Sequence, residues 1–226
     1  MQLPPPTSRY AARVDYGRYV ARRLNRAGRA TLAKSARAAA DAVLAAGRDL
    51  EDARFDVQDA LADRDAADDA LDNAAKDLRH ALASRSRTAV RESPYTDIFP
   101  EGIEHYTVAA LDEQEARYDE LRTRVEAHLP AKDPQRKRSL DALAAGLAAW
   151  REAVRALNTA RTAESLASTK LANAIDAFNR QMTRTYGALV ADLDKPAAER
   201  FFPRARSARV AVEPAGDGKG DDEPTK

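Results

Sequence analysis

Residues 31–81 read TLAKSARAAADAVLAAGRDLEDARFDVQDALADRDAADDALDNAAKDLRHA, and two interleaved seven-residue repeats run through them. Val43, Leu50, Val57, Arg64, Leu71 and Leu78 hold one position, while Leu32, Ala39, Ala46, Ala53, Ala60, Ala67, Ala74 and Ala81 hold the other. Apolar side chains recurring at steps of three and four fall on one face of an α-helix, because 3.6 residues complete a turn. A seam with large residues along one edge and alanine along the other lets two helices approach closely, since the small side chain leaves room for the partner's backbone. The repeat predicts one helix over about residues 31–91, ended by Ser93-Pro94. At a rise of about 1.5 Å per residue it is roughly 90 Å long.

Outward from this stretch the pattern returns once. Asp133 and Pro134 form a cap and a proline at the first helical position, which together are a start signal. Leu140, Leu147, Val154, Arg161, Ser168, Ile175, Met182 and Leu189 then hold one heptad position, and Leu143, Trp150, Leu157, Glu164, Leu171 and Phe178 the other. A second long helix is expected over about 134–192. Two shorter ones accompany it. The first follows Pro4-Pro5-Pro6, with Thr7 or Ser8 as cap, and runs to about Arg26 along the stripe Tyr10, Val14, Gly17, Ala21, Leu24. The other starts at Thr107 and ends near Leu129-Pro130.

The expected fold is therefore all-α: an elongated antiparallel helical bundle or coiled coil of four helices, two long and two shorter. Residues 1–203 read as one such unit. Residues 204–226 contain little to bury and read as a disordered tail. The segments 8–103 and 104–203 share a layout of short helix, long helix, break and Phe-Pro, seen at Phe99-Pro100 and Phe202-Pro203, which suggests a tandem duplication.

Composition supports long helices over a thick core. Of the 226 residues 44% are hydrophobic, but fifty are alanine, so larger apolar side chains must line narrow seams. The net charge of +1 hides segregation. Residues 1–48 carry ten basic and two acidic groups, and residues 49–80 carry four basic and eleven acidic. Residues 98–130 are again acidic, eight against three, and 131–161 basic, seven against three. Blocks of opposite sign attract one another, within a chain or between chains.

Several chemistries have no foothold. Cysteine is absent, which removes disulfides, thiolate metal sites and a cysteine nucleophile. The acidic run from Asp49 to Asp77 lacks the glycine-containing loop of an EF-hand, and Asp77-x-x-His80 is the sole approach to a di-iron helix motif. His105 and His128 read as isolated, and no phosphate-cradling glycine loop or nucleophile elbow occurs. Neither an enzyme nor a resident cofactor is expected, and a metal-binding bundle is the weakest alternative. The N-terminus lacks the apolar run of a signal peptide and no stretch is apolar enough to span a bilayer, so a cytoplasmic location is expected.

Three groups of residues stand out. Arg64, Asp68, Arg161, Glu164 and Ser168 lie near the midpoints of the long helices, mostly at seam positions. With helix ends aligned they form a polar layer, Arg64 pairing with Glu164 and Asp68 with Arg161, that sets register. A staggered arrangement abolishes that layer and instead sets Lys132, Arg136, Lys137 and Arg138 against Asp59, Asp63, Asp65, Asp68, Asp69 and Asp72. Tyr95, Ile98, Phe99, Ile103 and Tyr106 crowd an otherwise polar loop; they plug the end of the core, or if exposed form a docking patch. Arg18, Arg22, Arg26 and Arg29, with Arg200, Arg204, Arg206 and Arg209, are candidates for binding anions.

The function these features favour is structural or scaffolding, through self-association or docking of a protein partner. A binder of nucleic acid or of an anionic surface through the arginine clusters is the alternative.

Overall fold

The computed structural model describes residues 1–203; the tail expected at 204–226 lies outside them. Among the described residues the chain forms seven α-helices and no strand. They are α1 (Tyr10–Arg26), α2 (Ala30–Ala83), α3 (Tyr95–Ile98), α4 (Glu104–Thr107), α5 (Gln114–His128), α6 (Pro134–Asp192) and α7 (Lys195–Glu199). No helix is long and apolar enough to cross a membrane.

The long helices form where the repeats placed them, and the differences lie at ends and connections. α2 stops at Ala83, not near 91, because its last core residue is Leu82 and the next five residues, Ser84 to Thr88, are exposed. The Ser84 hydroxyl there takes a backbone partner of its own, donating to the Ala81 carbonyl at 3.2 Å. α6 starts as read, with Asp133 accepting from the Gln135 amide at 2.9 Å. α1 begins without a side-chain cap, after Arg9 in place of Thr7 or Ser8. Here buried Arg13 reaches back to the carbonyls of Pro5 and Ser8, each at 2.9 Å, and fastens the proline lead-in. Thr107 is not a cap but the last residue of α4, its hydroxyl turned to the Ile103 carbonyl. The separate turn of α4 exists because Tyr106 must point inward while Val108 and Leu111 stay exposed. The terminal α7 replaces an expected stop at Pro196: Asp194 caps it through the Ala197 amide at 2.7 Å, and proline is tolerated in a first turn.

The chain divides into two compact units that cut across the sequence halves. The first comprises Met1–Asp41 and the chain from Asp176 onward. Its core holds Val14, Val20 and Leu24 of α1, Ala36 and Ala40 of α2, Phe178, Met182 and Leu189 of α6, and Phe202. Tyr16 sits edge-on to Phe178 with ring centroids 6.3 Å apart. Gly17 is where α1 touches both neighbours: a Cβ there lies 2.7 Å from Ala40 Cβ and from Phe178 Cε2.

The second unit is Ala42–Ile175. Its main core joins Leu71, Leu78 and Leu82 of α2, Leu121 and Val125 of α5, and Leu143, Leu147 and Trp150 of α6. α2 and α6 run antiparallel here, since Leu71 lies over Gly146 while Arg54 reaches Glu164. Away from the main core the two helices continue with smaller clusters only, Val57 and Ala60 with Leu157, then Leu50 and Ala53 with Ala167.

Candidate functional site

The register of α2 on α6 decides the fate of the expected polar layer. Leu71 opposite Gly146 and Arg54 opposite Glu164 put Arg64 about ten residues, or roughly 15 Å of helix, from the level at which it meets Glu164. Glu164 therefore pairs with Arg54 at 3.3 Å, and Arg64 turns to its neighbour Asp65. Asp68 accepts a hydrogen bond from buried Gln114 of α5, while Arg161 and Ser168 are exposed. No layer forms. The staggered alternative fails as well, because α6 begins beside the end of α2: Asp133 pairs with Arg85 at 2.8 Å. Arg136 instead donates to the Glu126 carbonyl at 3.1 Å and Lys137 pairs with Asp141 one turn on.

Asp68 and Asp72 of α2 face α5, with Asp65 and Asp69 exposed beside them. Burial pushes the Asp68 carboxyl above the usual carboxylate range, and the charges of Asp72, Asp69 and Asp65 push the same way. Asp72 accepts from the Tyr118 hydroxyl at 2.6 Å, and burial together with that bond raises the phenol.

The aromatic loop faces inward. Ile98, Phe99 and Tyr106 are almost fully buried in the main core of the second unit, with Tyr95 and Ile103 half-buried against it. Tyr106 donates to the Ile98 carbonyl at 3.0 Å, and burial moves its phenol up to about 12. These five residues are thus engaged in the core and do not form a free docking patch.

His105, read as isolated, is not. Its Nδ1 lies 3.1 Å from Glu101 and its Nε2 3.3 Å from Glu120, with Arg117 also on the ring and Tyr106 edge-on at 4.9 Å. Arg124 bonds Glu120 at 2.7 Å and, with His105, holds that carboxyl below its usual range against a smaller burial penalty. The contacts of His105 on α4 with Glu120 and Arg117 on α5 pin the two helices together. His128 approaches Asp97 at 3.6 Å, and both Asp77 and His80 are exposed. Among the described residues no group of three or more His, Cys, Asp or Glu side chains stands where it could hold a metal ion.

The arginine clusters separate. Arg29 is taken by Asp192, Arg26 is exposed, and the Arg200 carbonyl accepts from Arg23 at 3.2 Å. Arg204, Arg206 and Arg209 lie outside the described residues. Arg18 and Arg22 join Lys34 and Arg37 of α2 around a groove of about 450 Å³ in the first unit, floored by Ala21, Ala30 and Ala33. One carboxylate, Asp41, faces this group, 3.6 Å from Arg18 and 3.0 Å from Arg37. Sequence reasoning named the α1 wall and missed Lys34 and Arg37, whose signal was their i, i+3 spacing just past the helix start.

A second groove, of about 520 Å³, lies between α2 and α6 in the second unit. Asp56, Asp59 and Asp63 wall one side, Glu152 and Arg155 the other, and Ala60, Ala156 and Ala160 are among the alanines lining it. Arg155 is bound to Glu152 at 2.8 Å, and none of the three aspartates makes an ion pair among the described residues.

No protein-family model, curated protein or solved structure matches this chain.

Proposed function

We propose that this protein is a non-enzymatic helical-bundle scaffold that works by associating with itself. The observation that carries the reading is the thin stretch of the second unit, where α2 from Leu50 to Leu61 packs on α6 alone. Seam residues there keep 7–8% of their surface exposed at Leu50, Ala53, Val57 and Ala60, whereas Leu71, Leu78, Leu121 and Leu143 beside α5 keep none. Phe55 and Leu166 on the same stretch are 68% and 60% exposed. A two-helix layer leaves most of each helix facing water, and large apolar groups on such a face favour being covered by another protein surface. The coiled-coil reading of the α2–α6 seam belongs to the same proposal.

Sedimentation equilibrium from micromolar to near-millimolar protein tests it. The proposal expects a mass above that of one 24.7 kDa chain, rising with concentration. A single-chain mass throughout contradicts it.

A further inference from the structure

We infer that the basic groove between α1 and α2 is the docking site for the acidic Asp56–Asp63 ridge of a second copy of this chain. The inference rests on the self-association reading and names the surfaces that make the contact.

The charges carry it. Arg18, Arg22, Lys34 and Arg37 wall the groove, against Asp41 alone, so three positive charges remain. Arg22 and Lys34 make no ion pair among the described residues. On the other surface Asp56, Asp59 and Asp63 follow steps of three and four, which aligns them along one face of α2 as a ridge two turns long. They too make no ion pair among the described residues, and the cation that lines their groove, Arg155, is held by Glu152. Among the described residues, each surface therefore lacks the charge that the other supplies.

The shapes agree. The floor of the basic groove is alanine, with Ala21 and Ala33 buried, and small side chains let a helix lie close. A helical ridge laid there sets its carboxylates between two rows of long cationic side chains, whose apolar stems pack along it while the charges meet. Every copy carries one groove and one ridge, so each can both offer and accept the contact. Complementary potential of this kind also steers the encounter and weakens as salt rises.

The test uses two full-length variants. The first, Asp56→Lys with Asp59→Lys and Asp63→Lys, has a positive ridge and a positive groove. The second, Arg22→Glu with Lys34→Glu and Arg37→Glu, has a negative ridge and a negative groove. All six positions are exposed, and far-UV circular dichroism with melting checks that each variant is folded. The milder Asp56→Asn with Asp59→Asn and Asp63→Asn variant stands in should the reversal disturb the helix, with weakened association expected. Light scattering at low salt is expected to give an oligomer for the wild type, single chains for each reversal variant alone, and hetero-association on mixing the two. A wild-type oligomer that survives either reversal, or variants that fail to associate on mixing, overturns these surfaces and leaves self-association standing. A monomeric wild type at low salt overturns both readings; if it binds a short single-stranded oligonucleotide through Arg22 and Lys34, the groove belongs to nucleic acid instead.

Discussion

Glycines in α6 show how one residue type takes opposite roles by contact. A Cβ at Gly146 stands 2.7 Å from Leu71 Cδ2 and 3.2 Å from its Cγ, and Leu71 is fully buried, so its side chain has no space to yield. Overpacking of this kind costs about 1–3 kcal/mol, against a gain of about 1 kcal/mol in helix propensity. At Gly187 nothing lies within 4 Å. Gly146→Ala is expected to lower stability by up to about 2 kcal/mol and Gly187→Ala to raise it by about 0.5–1 kcal/mol, read from urea unfolding. Equal effects of one sign would contradict the packing at Leu71. Asp68 supplies a pH-dependent counterpart. Its carboxyl is raised mainly by burial and further by Asp72, Asp69 and Asp65, so the folded state binds its proton more tightly than the unfolded state does. That stabilisation is complete below the ordinary carboxylate value of about 4 and is lost as pH rises through the raised value. Asp68→Asn keeps an oxygen for Gln114 and removes the charge. Its melting temperature is expected to exceed that of the wild type at neutral pH and to match it in acid; a lower value at neutral pH would show that the charge itself holds Gln114.

At the scale of helices, the long repeats were legible because burial follows the seven-residue period for dozens of residues. Val43, Leu50, Val57, Leu71 and Leu78 are all buried. The alanine run was legible in part. Ala53 and Ala60 are buried in the thin stretch and Ala67 in the main core beside it, but toward one end the buried small residues are Ala33, Ala36 and Ala40, and toward the other Ala75. An α-helix of 3.6 residues per turn drifts against a strict seven-residue repeat, and a third helix widens the buried face. Register was not legible, because the two repeats match at any shift of seven and only contacts such as Leu71 on Gly146 choose among them. Short helices were missed for the same reason that α3, α4 and α7 exist: each is one turn or little more, set by where Ile98, Tyr106 and Ala198 must be buried. The contrast between covered and thin stretches gives a prediction. Leu121→Ala, at a site covered by three helices, is expected to cost about 3–5 kcal/mol, and Leu50→Ala about 2 kcal/mol or less, in chemical denaturation. A larger loss at Leu50 in the dissociated chain would mean that its seam is as closely packed as the main core.

For the whole molecule, what matters is the distribution of charge more than its sum. A net charge of +1 leaves little repulsion between copies, and proteins near neutrality associate readily. The alternating blocks were visible in the sequence, but their use was not. Glu115 and Asp119 meet Arg151, and Arg54 meets Glu164, inside the second unit, whereas Asp56, Asp59 and Asp63 make no ion pair among the described residues. Only folded geometry separates charges that are consumed internally from those left to face a partner. The candidate site was legible to the same extent: Arg18 and Arg22 stood out along the basic stripe of α1, while Lys34, Arg37 and the ridge became a site only once the helices stood side by side.

Charge-guided self-association is the central claim, and size-exclusion chromatography with light scattering at low and high salt tests it most directly. Raising ionic strength from about 0.1 M to about 1 M shortens the screening length from about 10 Å to about 3 Å. The account predicts a mass above that of one 24.7 kDa chain at low salt that falls toward it at high salt, with the dissociation constant rising roughly tenfold or more. A single-chain mass at both salt concentrations, or an oligomer indifferent to salt, would contradict it.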